Sequence, residues 1–226
     1  MNEANNKLPA DFTKFEKLEQ SFLNEESDGE KDFILEDGIY KVLLSAPHSV
    51  SQLRNGKIKA PESRTGTIII LLRERLGTPI IYKTRNENND ANFDEKSNYR
   101  DELIDFLKNK KIGCVLDFHI SAPSRPYSVE VGTGYGENIC GRKDLQEIIT
   151  EGLKKTYNEI TVDSIFPASN PNTVSASVGN KAKIPAFQIE INWNVISDYD
   201  KMLKFVDCFE EIIKKLEENI ETVDNI

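Results

Sequence analysis

The sequence predicts an α/β fold with a mixed, largely parallel central sheet and helices on both faces. Three observations lead there. Near-continuous apolar runs of strand length recur at 78–84, 112–118 and 183–192, the pattern of strands buried on both faces. Between them lie segments whose apolar residues fall at helical spacing, so strand and helix alternate along the chain. A length of 226 residues with 38% hydrophobic content suits one substantial core.

Taken in order, residues 1–32 read as a polar, partly flexible extension, with one amphipathic helical segment at 11–23 (DFTKFEKLEQSFL) before the acidic stretch NEESDGEKD. Residues 33–226 read as a single α/β domain. In FILEDGIYKVLLSA, Asp37-Gly38 separates two apolar runs, a tight-turn signal that predicts an antiparallel hairpin. TGTIIILLRERLG (65–77) predicts a buried helix ended by a glycine, and TPIIYKT (78–84) a strand. NYRDELIDFLKNKK (98–111) places Leu103, Phe106 and Leu107 at helical spacing, with basic residues in its last turn. Strands IGCVLDF (112–118) and YSVEVGT (127–133) follow, then a helix at 143–157, the strand KIPAFQIEIN (183–192) and a terminal helix at 198–219. The glycine-rich GTGYGEN (132–138) lacks the order of a phosphate-cradling loop and reads as a flexible loop near a site.

Composition narrows the function. The balance of 29 basic against 38 acidic residues, a formal net charge of -9, argues against nucleic acid as a partner. Cys114, Cys140 and Cys208 are widely spaced, odd in number and free of Cys-x-x-Cys pairs, so reduced thiols are expected. The start MNEANNKLPADF has no basic and apolar leader pattern, and no apolar run reaches the ~18 residues of a membrane span. A cytoplasmic protein without a membrane partner is the expectation.

His48 and His119 are the only histidines, and each ends an apolar run, in LLSAPH and CVLDFH. Open α/β sheets bind ligands at such strand ends. With Glu62 they supply two imidazoles and a carboxylate, a common set for catalytic zinc that leaves a fourth position to water. Manganese or iron suits the same set almost as well. Taken singly, each residue has a plainer reading: a hydrogen-bonded structural histidine, or an acidic residue in the first turn of the next helix. Asp117 shares a strand face with His119 and either steadies that imidazole or caps the following loop.

Glu190 is the most unusual acid. Gln188, Glu190 and Asn192 share one face of an otherwise apolar strand, with Phe187, Ile189 and Ile191 on the other. A carboxylate there is paired with a core arginine, solvated by a cavity, or a general base. Arg64, Arg100 and Arg125 are candidates to fork onto a substrate carboxylate or stabilise an oxyanion, surface ion pairing being the alternative.

The motifs APHS (46–49), PESRTG (61–66), DANFD (90–94), NYRDEL (98–103), LDFH (116–119) followed by Arg125, VGTGYG (131–136) and FQIEIN (187–192) stand in a family's order. Over residues 39–215 the chain resembles the N-formylglutamate amidohydrolase family. The resemblance implies a phosphorylase/hydrolase-like fold of the zinc-peptidase type, similar to zinc carboxypeptidases and aspartoacylases, and a zinc-dependent amidohydrolase activity. By it, His48, Glu62 and His119 would bind Zn2+ and Glu190 would be the catalytic carboxylate. Arg125, counted with the catalytic residues, or Arg100 would meet the substrate's anionic group, and Arg64, Asn98, Arg100 and Asn192 would bind substrate. The expected substrate is a small anionic amide, an N-acyl amino acid such as N-formylglutamate. The alternatives are a carboxypeptidase-like enzyme acting on small peptides and a metal-free ligand-binding member of the fold.

Overall fold

The computed structural model describes residues 10–27 and 29–224. The polar residues 1–9, read above as part of a flexible extension, lie outside them. In chain order come α1 (Ala10–Leu23), β1 (Phe33–Glu36), β2 (Val42–Ala46), β3 (Gln52–Arg54), β4 (Lys57–Lys59), α2 (Ser63–Leu76), β5 (Ile80–Lys83), α3 (Asn98–Asn109) and β6 (Cys114–Ser121). Then follow β7 (Val129–Gly132), α4 (Lys143–Lys154), β8 (Ile160–Val162), α5 (Val174–Ser177) with a π turn at Val178–Ala182, β9 (Ala186–Asn192), a 3-10 turn at Trp193–Val195 and α6 (Tyr199–Asp224).

Seven strands form one sheet in the order β1-β5-β2-β6-β9-β7-β8. The inner strands β5, β2, β6 and β9 run parallel, while β1 and β7 pair antiparallel to β5 and β9. This is the mixed, largely parallel sheet that the sequence predicts. From β2 the chain runs through α2 to β5 on one side of β2, then through α3 to β6 on its other side. The strand order therefore reverses around β2, and such switch points open a crevice at the carboxyl ends of the strands.

The hairpin expected at Asp37-Gly38 does not form. Strand β1 pairs with β5, and β5 also pairs with β2, so β5 separates the two runs. The signal misled because residues 37–41 must pass the start of β5 at close range. Ile39 N donates to Gly77 O, and a Cβ on Gly38 would lie 2.3 Å from Gly77 O and 2.4 Å from Pro79 N. Glycine is needed here for close backbone approach. Gly38→Ala is expected to destabilise the protein by about 1–3 kcal/mol through overpacking against main chain that has no rotamer to change, measured by urea unfolding.

Described residues of the acidic stretch after α1 make bonds to the body. Glu25 accepts from Ser51 Oγ and Asn86 N at 2.7 Å each, and Arg85 donates to the carbonyls of Gly29, Glu30 and Lys31. Asp32 pairs with the buried Lys83. Helix α1 lays Phe15 and Phe22 into the core against α2.

Strand alternation assigns the two sheet faces. Leu44, Leu116, Phe118, Phe187 and Ile189 face the core packed by α1, α2, α4 and α6. Leu43, Val115 and Ala186 face the smaller core under α3 and α5. On that second face the carboxyl ends turn polar: Ser45, Asp117, His119, Gln188, Glu190 and Glu130 all project from it and are buried. Three short pieces escaped the sequence reading: the β3–β4 hairpin, β8 and α5. None of their strands or helices is longer than four residues, too short for periodicity to register. The hairpin turn is Asn55-Gly56, both with positive φ (52° and 72°), as a two-residue turn requires.

Candidate functional site

His48 follows the end of β2, His119 lies on β6, and Glu62 stands at the N-cap of α2. The three offer ligand atoms that all lie within 4.8 Å of one another. His48 Nδ1 is 3.2 Å from His119 Nδ1 and 3.2 Å from Glu62 Oε1, and His119 Nδ1 is 3.4 Å from Glu62 Oε2. Although Glu62 stands at the helix start, its side chain makes no cap bond to the helix. Instead its carboxylate accepts from Ile120 N at 2.8 Å, which aims it across the strand ends at the imidazoles.

The outer edges of both rings are held by carboxylates. His48 Nε2 meets Asp90 Oδ1 at 2.9 Å, and His119 Nε2 meets Asp117 Oδ2 at 3.0 Å. A carboxylate only accepts, so each Nε2 carries a proton, and in the neutral tautomer each ring would present its Nδ1 lone pair to Glu62. Two lone pairs 3.2 Å apart beside a carboxylate repel unless positive charge lies among them. A metal ion meets that demand with ligand types that suit zinc, so the residues fit the ion that the sequence predicts.

Charge shifts express the same demand. Burial opposes the charged form of His48, but Glu62 and Asp90 outweigh it and its pKa stands above the usual value. For His119 burial is again opposed, by Asp117 and Glu62, and the rise is larger. Burial favours protonation of Glu62, yet His48 and His119 bring it down to about 2. Asp90 is likewise low, its burial outweighed by His48 and Arg54. Metal ions compete with protons for such sites.

Glu190 lies beside His119 in the β6–β9 register and is buried at 6% exposure. Among the described residues no arginine or lysine pairs with it, so the core-arginine reading fails. Its one hydrogen bond comes from Gln188 Nε2 to Oε1 at 2.9 Å. Burial lifts its pKa to about 7, with His119 working in the opposite direction.

These groups line a cavity of about 790 Å³. One wall is the β3–β4 hairpin with Pro61, another is Phe93, and the far side is formed by residues 165–170. Glu130, opposite Glu190 on β7, secures that far side by accepting from the backbone N–H groups of Ser164, Ile165 and Phe166 at 2.7, 2.6 and 2.8 Å.

Other expected site residues are not in the cavity. The buried Arg100 guanidinium donates to the carbonyls of Ala91, Asp94, Glu95 and Asn172, which fixes the 90–95 loop and leaves little donor capacity for substrate. Arg64 pairs with Glu19, donates to Ile196 O and stacks 4.6 Å from the Trp193 ring. Arg125 is exposed and lies 5.0 Å over Phe166, outside the cavity wall. Asn192 donates to Pro123 O and Arg125 O, and Asn98 opens α3 at a different surface cleft. The 132–138 stretch is a chain of turns beneath the far wall, where Gly134 N donates to Pro167 O and Asn138 Nδ2 to Ala168 O.

Asp90 is the main residue the sequence reading left without a role. Its signal was present in DANFD, but the residue sits in a loop with no period to show where it points. Arg54 was missed because β3, which it ends, is only three residues long, too short for alternation to register. Its Nε donates to Asp90 Oδ2 at 2.7 Å, behind His48.

No protein-family model and no curated protein matches the chain. Solved structures do share its fold. A gene product from Agrobacterium tumefaciens aligns with a TM-score of 0.61 at 12% identity, over 90% of this chain and 99% of its own. A bacteriophage poly-gamma-glutamate hydrolase aligns at 0.52 and 15% identity, over 85% and 93%. A metallo-carboxypeptidase from Burkholderia cenocepacia aligns at 0.54 and 13% identity, over 88% of this chain and 60% of that longer one.

Proposed function

We propose that this chain is a metal-dependent hydrolase of amide bonds, with His48, Glu62 and His119 holding Zn2+ and Glu190 acting as general base. The observation that carries the reading is the convergence of two imidazole lone pairs and a carboxylate beside a buried carboxylate without a cationic partner. The fold is shared with proteins described as a poly-gamma-glutamate hydrolase and a metallo-carboxypeptidase, which favours the same reaction class.

A divalent cation at such a site supplies the charge that polarises an amide carbonyl and acidifies an attacking water. The chain supplies the rest. Asp90 and Asp117 keep the rings in the ligating tautomer, and Ser45 Oγ steadies Asp117 with a 2.7 Å bond to Oδ1. Glu190 Oε1 is fixed by Gln188, which leaves Oε2 to take a proton from water and return it to the leaving nitrogen. Burial, which raises its pKa in the metal-free protein, helps it both to take and to return that proton.

The substrate reading is an N-acyl amino acid, with N-formylglutamate the first compound to try. A second reading is short peptides, which the open cavity of about 790 Å³ has room to take as well. The experiment is elemental analysis of protein purified without added metal or chelator, followed by a panel of formyl-, acetyl- and peptidyl-amino acids. About one zinc per chain and turnover lost on chelation are expected. Protein that neither contains nor takes up metal would end the reading.

A further inference from the structure

All three arginines expected to read a substrate's anionic group are engaged elsewhere or lie outside the cavity. The cations that line it, Arg54 and Lys59, belong to the β3–β4 hairpin. In the hairpin register Gln52 pairs with Lys59 and Arg54 with Lys57, so these four side chains share one face. The stretch SQLRNGKIKAP (51–61) contains no acid, in a chain of net charge -9.

Arg54 is held as a binding group needs to be. Its Nε is fixed on Asp90, its guanidinium lies 4.9 Å over the Phe93 ring, and the side chain is 30% exposed. Among the described residues, neither Nη makes a hydrogen bond. The result is an oriented fork of free donors on the wall of the cavity, with its planar side supported and its rotamer already chosen.

We propose that Arg54, assisted by Lys59, is the residue of this site that reads the substrate's free carboxylate. The assignment rests on the hydrolase reading above and adds what that reading lacks, a residue for the anionic end. Asp90 joins the two ends of the site, since one oxygen orients His48 and the other orients Arg54.

The test uses the zinc-loaded full chain and the fluorescence of Trp193, which is the only tryptophan and lines the same cavity. N-acetyl-L-glutamate and its uncharged counterpart N-acetyl-L-glutamine amide are titrated at low and high salt. Wild-type protein should prefer the acid, less so at high salt. Arg54→Gln should reduce that preference about tenfold or more, and Lys59→Gln by a smaller factor. Arg54→Lys, which keeps the charge but not the fork, should fall between.

Zinc content of each variant shows whether the Asp90–His48 arrangement survives. An unchanged acid preference in Arg54→Gln, or no preference in the wild type, overturns the assignment. Turnover of amides by such a protein would leave the hydrolase reading intact. Conversely, a preference lost on Arg54→Gln in a protein that hydrolyses nothing would sustain the anion site and remove the enzyme.

Discussion

Replacing Glu190 with Gln is expected to leave zinc content unchanged while lowering kcat by a factor of about 10²–10⁴, the usual contribution of a positioned general base. The amide has the carboxylate's shape, and its carbonyl oxygen still accepts from Gln188 Nε2, so the strand and the neighbouring His119 stay in place. What is lost is the ability to take a proton. KM should change far less than kcat, because the missing interaction belongs to the transition state. Turnover within a few-fold of wild type would remove Glu190 from the mechanism.

The same substitution has a stability signature of definite sign. In the metal-free protein burial lifts the Glu190 carboxyl above the ordinary carboxylate range, to about 7, so the native state binds its proton more tightly than the unfolded chain does. Stability from this group is complete below the unfolded pKa and is lost as pH rises through about 7. Metal-stripped Glu190→Gln should therefore gain Tm over wild type at pH above 7 and show little gain near pH 4. A gain largest in acid would contradict the burial argument.

Removing His119 is expected to have the larger effect on the metal. His119→Ala deletes one of the three side chains proposed to hold the metal and leaves Asp117, fully buried, without its imidazole partner. Stoichiometric zinc should be lost, and turnover with it, by equilibrium dialysis and assay. Asp117→Asn separates the two roles of the pair. It keeps all three ligands and the 3.0 Å neighbour of His119 Nε2 but replaces an anion with a neutral amide, so zinc affinity should fall about 10–100-fold without being abolished. Wild-type affinity in Asp117→Asn would mean that the imidazole is oriented by packing alone.

Much of this site was legible in the sequence, and the reason is local. Alternation along β6 and β9 puts Asp117 with His119, and Gln188 with Glu190, on one face of the sheet whatever surrounds them. A carboxylate within AFQIEIN is anomalous before any fold is known, because burying it requires a use or a partner. The scarcity of histidine and its position at two strand ends singled out the two imidazoles that the fold brings together with Glu62. The alternation of strands and helices likewise determined the sheet's class.

Partners, in contrast, were decided only by tertiary structure. Nothing within residues 33–46 announces that β5 will insert between its two apolar runs and turn an expected hairpin into a close crossing. An arginine's long side chain reaches whichever acceptor the fold brings near. Arg100 therefore braces a loop and Arg64 joins α1 to Trp193, while Arg54 is left facing the cavity. Asp90 reaches His48 across 42 positions from a loop with no repeating pattern. Residues on regular elements inherit their direction from a backbone period, whereas loop residues take theirs from contacts distant in sequence, which exist only once the chain has folded.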